Sequence, residues 1–213
     1  FYLNHQPNKY YEALLRLKNT RKNNSLKKFY LKNSTREVSG DYCVFYLQLQ
    51  PERTTLPMAD VFENQLLSII MLSKSLPKGM TLYIKEHPRQ FDNDKFTLKY
   101  RHFRNIDFYK QLLKVSNVKF LNLSIENQYL IEGAKFVSTG TGSLGWEGLL
   151  LGIPAIVFGH PWYKGCPSCF YVSSKQEIQK AIKKIAEMNK EMVLTSVYKY
   201  YIYLNQYLID AAN

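Results

Sequence analysis

Lys135-Phe136-Val137-Ser138-Thr139-Gly140-Thr141-Gly142-Ser143-Leu144-Gly145-Trp146-Glu147 reads as a strand, a glycine-rich turn and the opening of a helix. The strand covers Lys135–Ser138 and the helix Ser143–Leu151. Such a turn lets backbone amides approach a ligand, and the helix N-terminus adds partial positive charge, which is the form of a phosphate cradle. The same residues also read as a turn that is glycine-rich only for tight packing. Gly140, Gly142 and Gly145 spell Gly-x-Gly-x-x-Gly, but a dinucleotide site needs an acid about 20 residues further on. Residues 158–170 contain no Asp or Glu, and the motif follows a fourth strand, which argues against NAD. No Gly-Lys-Ser/Thr occurs, so this is not a P-loop.

The strand and helix alternation extends on both sides. Tyr42–Leu49 is a β-rich run, and a helix through Leu76 follows an Asp60/Glu63 capping-box signature. Pro77-Lys78-Gly79 stops that helix, and Met80–Ile84 is a second strand. A polar, charged insert runs to Arg104, followed by a helix at Ile106–Val115, a strand at Val118–Leu121 and a short helix at Glu126–Glu132. Beyond the glycine turn come a strand at Ala155–Phe158 and closing helices at Ser174–Asn189 and Lys190–Ile209. This pattern predicts an α/β fold, a Rossmann-like parallel sheet with helices on both faces. Ligands of such sheets bind at the carboxyl ends of the strands.

The loops at those ends carry the candidate residues. Lys85-Glu86-His87-Pro88 follows the second strand; His87 can donate to a phosphate oxygen, Pro88 fixes the turn and Lys85 adds charge. After the first strand, Glu52 or Arg53 faces the crevice or belongs to a solvated loop. Trp162 and Tyr163, after the fifth strand, are placed to border a base or sugar. Glu147 lies one turn into its helix, to accept from a ribose or to complement the helix dipole. Asp92-Asn93-Asp94 reads as an exposed turn, and no metal is expected.

The 213 residues carry 29 Lys and Arg against 17 Asp and Glu, a net charge of +12 that points to an anionic partner. The excess is uneven: residues 1–36 hold nine basic side chains and one acid. That segment reads as a short helix around Tyr10–Lys18, then a polar stretch over Asn19–Lys28. Residues 1–40 are therefore expected to be a basic linker or the tail of a preceding domain, with a basic arm on acidic lipid or nucleic acid as the sharper reading. Residues 41–213 form the globular domain. No helix-turn-helix or RNA-recognition signature accompanies the charge, so nucleic acid is not expected as a partner. The Cys166-x-x-Cys169 pair has redox or zinc spacing but no second pair, and Cys43 reads as a buried small hydrophobe. Three cysteines and no secretory signal fit a cytoplasmic protein. The chain opens on Phe1 and is expected to be part of a longer one.

Taken in order, several of these pieces resemble the capsule polysaccharide biosynthesis family. They are Gln50-Pro51-Glu52 with Thr54-Thr55, the helix with Gln65, Tyr83-Ile84-Lys85-Glu86-His87-Pro88, Phe108-Tyr109 and Asn117-Val118. Thr139-Gly140-Thr141-Gly142 with Gly145-Trp146-Glu147, and Gly152-x-Pro154 leading to Phe158-Gly159, complete the set. The resemblance covers residues 42–163 and implies a glycosyltransferase of the GT-B architecture. This chain then corresponds to the C-terminal, nucleotide-sugar-binding half, and the N-terminal acceptor domain lies elsewhere.

Related transferases that use CMP-activated acidic sugars share a His-Pro pair and a Ser/Thr pair around the donor phosphate, matched here by His87-Pro88 and Ser138-Thr139. The implied nucleotide and phosphate site is Lys85, His87, Pro88, Ser138, Thr139, Gly140, Thr141, Gly142, Ser143 and Glu147. His87 and Glu52 are the candidate catalytic residues. The implied enzyme is metal-independent and cofactor-free, with the nucleotide-sugar as substrate and a glycan or lipid-linked acceptor. It works in the cytoplasm, with a peripheral place on the inner face of the membrane through the basic segment, and this half alone is inactive. A non-catalytic nucleotide- or glycan-binding module in polysaccharide export, and a sugar-nucleotide epimerase-like enzyme, are the alternatives.

Overall fold

The computed structural model describes residues 9–50, 58–94 and 104–207. A long helix α1 (Lys9–Lys32) leads into a two-residue strand β1 (Ser34–Thr35) and then β2 (Tyr42–Tyr46). Next come α2 (Gln65–Ser73), β3 (Thr81–Lys85), α3 (Ile106–Leu113), β4 (Val118–Leu121) and α4 (Asn127–Glu132). The chain continues through β5 (Val137–Thr139), α5 (Leu144–Leu150), β6 (Ala155–Val157), β7 (Cys169–Tyr171), α6 (Lys175–Ala186) and α7 (Lys190–Asn205).

The seven strands form one sheet in the order β1-β4-β3-β2-β5-β6-β7, every pair parallel. Setting aside the short β1 edge, this is the Rossmann order, and the winding reverses between β2 and β5. The expected sheet with helices on both faces is what the chain forms.

Alternation along β2 shows how the sequence builds two cores. Cys43 and Phe45 point to a layer shared with α1, α2, α3 and α6. Tyr42, Val44 and Tyr46 point to a second layer beneath α4, α5 and α7. With period-two geometry, adjacent residues of a strand must serve opposite faces. Gly79 (φ 91°) and Gly152 (φ 81°) sit in the left-handed region that other residues rarely adopt, and they turn the chain from α2 into β3 and from α5 into β6.

The leading segment departs from expectation. One continuous helix spans Lys9–Lys32, so the polar stretch Asn19–Lys28 is helical rather than a solvated linker. The reason is an i, i+4 pair: Leu26 and Tyr30 both enter the first core layer, while Arg21, Lys22, Lys27 and Lys28 stay exposed. Tyr30 is fully buried among Phe91, Tyr109 and Phe120. Its hydroxyl donates to the Leu121 carbonyl at 2.8 Å and accepts from the Glu86 amide at 3.1 Å. Tyr30→Phe leaves both groups short of a partner and is expected to cost about 1–2 kcal/mol, read as a lower urea midpoint at unchanged slope.

Two smaller corrections follow. Asp60–Glu63 is a 3-10 turn without a side-chain cap, and α2 begins after it under Asn64, whose side chain accepts from the Leu66 amide at 3.2 Å. The Cys166/Cys169 region contains a strand, β7, that its pattern did not disclose. Both thiols are free and buried, and burial pushes the Cys169 thiol up to about 12. Among the described residues no group of three metal-type side chains gathers, and no helix is long and apolar enough to cross a membrane.

Candidate functional site

A cleft of about 580 Å³ opens at the carboxyl ends of β2, β3 and β5, where the winding reverses. Gln48, two residues past β2, is the hinge pin of its back wall. Its side-chain amide donates to Thr141 Oγ1 at 2.9 Å and accepts from the Thr141 amide at 2.8 Å, tying the β2 loop to the glycine turn. Its backbone amide and carbonyl both bond to the side chain of Gln65, the first residue of α2, at 2.9 and 3.1 Å. One glutamine thus fixes β2, α2 and the glycine turn relative to one another.

The glycines owe their identity to side chains that pass close by. A Cβ at Gly140 would sit 2.3 Å from Gln48 Oε1, one at Gly142 2.8 Å from Thr139 Oγ1, and one at Gly145 2.2 Å from Tyr163 Oη. The Tyr163 hydroxyl donates to the Gly142 carbonyl, so Gly145 makes room for the bond that closes the turn. The Gly142 amide donates to Thr139 Oγ1 at 3.3 Å. The Thr141 amide is therefore engaged by Gln48 and the Gly142 amide within the turn itself. The packing reading of the glycines accounts for these contacts.

On the β3 side, His87 begins a short turn made by Pro88–Phe91. Its Nδ1 accepts from the Arg89 amide at 3.2 Å, so in the neutral ring the proton resides on Nε2. His87 lines the cleft and offers that Nε2–H as a donor. Behind it lies an ion pair that the sequence did not reveal. Glu86 and Arg104, with side chains 0% and 1% exposed, stand 3.0 Å apart, and the Glu86 carboxylate also accepts from Tyr109 Oη at 2.6 Å and the His87 amide at 2.8 Å. The Arg104 guanidinium donates to the Gln48 carbonyl at 3.1 Å. Arg104 reads in the sequence as the end of a charged insert. The available signal was Glu86, a carboxylate ending a buried strand, which requires a partner.

Of the sequence-predicted site residues, His87, Pro88, Thr139, Thr141, Gly142, Ser143 and Glu147 line this one cleft, together with Trp162 and Tyr163. Three lie off its wall. Ser138 donates to the Ile156 carbonyl at 2.9 Å and is fully buried. Gly140 is packed under Gln48. Lys85 donates its ammonium to the Ile125 carbonyl, and burial pulls that ammonium down to about 8. Glu52, with Arg53, Thr54 and Thr55, lies outside the described residues. Tyr46, Gln48 and Asn127 line the cleft without having been predicted. Burial, then the Glu147 carboxylate, raises the Tyr46 phenol well above its ordinary range.

The wall thus offers His87 and hydroxyl donors near the glycine turn, an exposed carboxylate at Glu147 and an exposed indole at Trp162. Among the described residues that line it there is no Lys or Arg.

A doubly wound α/β domain with a cleft at its switch point is the class that fold and site define. The sequence profile of the family described as capsule polysaccharide biosynthesis protein matches residues 2–207, and the chain belongs to that family. No curated protein matches it. Among solved structures it is similar to the UDP-GlcNAc 2-epimerase from Methanocaldococcus jannaschii, with a TM-score of 0.50 at 16% identity over 86% of this chain and 51% of that one. It is also similar to Thermosulfurimonas dismutans KpsC, beta Kdo 2,7 transferase, with a TM-score of 0.48 at 15% identity over 77% and 52% of the two chains. The chain spans about half the length of these structures.

Proposed function

We propose that this domain binds the nucleotide-sugar donor of a glycosyltransferase that builds capsular or other surface polysaccharide. The observation that carries the reading is the position of His87, at a strand end on the switch-point cleft, opposite the turn of Thr139–Ser143. Membership of the capsule polysaccharide biosynthesis family supports it. In sugar transfer, negative charge grows on the departing nucleotide phosphate. A preorganised donor such as His87 Nε2–H, in a tautomer fixed by the Arg89 amide, lowers the barrier by meeting that charge where it forms. Glu147, exposed on the cleft wall, is placed to accept from ribose hydroxyls, and Trp162 to stack on a base or sugar. The donor proposed is a CMP-linked acidic sugar, and the acceptor, a glycan or lipid-linked glycan, is held by a separate upstream domain. The reaction takes place in the cytoplasm, at the inner face of the membrane.

Calorimetry of the chain with CMP, UDP and GDP tests the site. At least one is expected to bind, and His87→Ala to weaken it about tenfold, the worth of one charge-assisted hydrogen bond. Absence of binding by all three would overturn the reading. Nucleotide released by the full-length protein only when an acceptor is present would distinguish transfer from epimerisation.

A further inference from the structure

Tyr46 ends β2, buried in the second core layer. Packing alone asks for phenylalanine at such a position, because a hydroxyl taken out of water without a partner is destabilising. Every other buried tyrosine among the described residues makes a hydrogen bond through its hydroxyl: Tyr30, Tyr42, Tyr83, Tyr109, Tyr163 and Tyr200. The Tyr46 hydroxyl is buried and has no such partner, and Tyr46 lines the cleft.

A second unpartnered atom lies close by. Asn127 opens α4 and lines the same cleft, and its buried Oδ1 accepts from no donor among the described residues. Lys85 brings the two together. It is in register with Tyr46 across the β2/β3 pair, and its ammonium donates to the Ile125 carbonyl, two residues before Asn127. Paired strands lie about 4.8 Å apart, so register partners project side by side on one face. Lys85 therefore braces the start of α4 against β3, and its ammonium is engaged inside the wall.

The chemistry of this corner selects its occupant. A phenol both donates and accepts, whereas an amide oxygen only accepts. Burial, followed by the Glu147 carboxylate, keeps the Tyr46 phenol protonated. Glu147 lines the cleft as well, so a phosphate or carboxylate placed beside Tyr46 meets like charge. A neutral hydroxyl is the complement: it accepts from Tyr46 Oη–H and donates to Asn127 Oδ1.

We propose that Tyr46 and Asn127 form a hydroxyl-reading subsite that holds one hydroxyl of a sugar ring and sets which sugar the cleft accepts. The subsite rests on the donor-cleft reading and adds to it a specificity element separate from His87 and the glycine turn. The ring is the ribose of the nucleotide or the sugar that is transferred. A ligand without the matching hydroxyl leaves both polar atoms buried and unpaired, which is how a neutral site rejects an analogue.

The test combines thermal melting with calorimetry of the whole chain, for wild type, Tyr46→Phe and Asn127→Ala. The probes are CMP, UDP and GDP, their dideoxy analogues, and CMP-N-acetylneuraminate, UDP-glucose and GDP-mannose. Tyr46→Phe is expected to leave the melting temperature unchanged or raise it, because the hydroxyl removed has no partner to lose. It is expected to weaken the ligand that carries the hydroxyl about five- to tenfold, and Asn127→Ala to weaken the same ligand severalfold. A loss seen with a nucleotide and absent with its dideoxy analogue assigns the hydroxyl to ribose. A loss seen with a nucleotide-sugar and absent with the bare nucleotide assigns it to the transferred sugar. Three results overturn the subsite and leave the donor cleft standing: full affinity in both variants, equal losses across a nucleotide, its dideoxy analogue and its sugar, or a lowered melting temperature in Tyr46→Phe. Failure of every probe to bind wild type overturns the donor cleft and the subsite with it.

Discussion

Arg104→Met is expected to cost the fold about 3–5 kcal/mol, the range for breaking one side of a buried ion pair. Glu86 and Arg104 stand 3.0 Å apart with essentially no solvent exposure, so a Glu86 carboxylate left alone keeps its charge without water. Its remaining donors, Tyr109 Oη and the His87 amide, are dipoles and do not cancel a full charge. The substitution also strips the Gln48 carbonyl of a donor, loosening the residue that joins β2 to the glycine turn. Glu86→Gln added to Arg104→Met removes both charges and is expected to restore a large part of the loss. Urea unfolding of the two variants measures this. A loss below about 1 kcal/mol for the single variant would mean that the pair behaves like a surface pair.

Gly159→Ala is the second large effect, expected at about 2–3 kcal/mol, the upper part of the range for overpacking a filled interior. A Cβ at this position would lie 2.8 Å from the Met58 carbonyl oxygen and 2.4 Å from Thr141 Cγ2. The first is backbone and cannot rotate aside. The Gly159 amide donates to the Gly140 carbonyl and the His160 amide to the Met58 carbonyl, each at about 3 Å, so the segment is bonded on both flanks. The strain should be relieved by moving Thr141 away from Gln48, which opens the cleft's back wall. Nucleotide affinity is therefore expected to fall together with the melting temperature. A variant with an unchanged melting temperature would show that the loops rearrange freely.

Much of this fold was legible because parallel strands buried on both faces read as dense apolar runs bounded by glycine and proline. β2, β3, β4 and β6 begin within one residue of where their sequence places them. The length of α1 was not legible, because its second half is mostly polar and its apolar anchors, Leu26, Tyr30 and the partly buried Phe29 and Leu31, gather at its end. At the site, Thr139 and Ser138 read alike in sequence, but adjacent strand residues face opposite ways, so the fold sends one to the cleft and the other to the Ile156 carbonyl. Arg104 was hidden for a different reason: its partner lies 18 positions away, and only the folded chain brings them together. Gln48 likewise carries no motif; its importance lies in reaching Thr141 from 93 positions away.

The Tyr30 hydroxyl gives α1 mechanical leverage over the site. It holds the Glu86 amide on one side and the β4 end on the other, and Glu86 is joined through one peptide and one carboxylate bond to His87. Any reorientation of α1 must either strain these bonds or be transmitted to the His87 peptide within two links. Whatever engages the exposed first half of that helix, where Tyr10, Leu14 and Leu17 face solvent, gains a short linkage to the residue proposed to meet the phosphate.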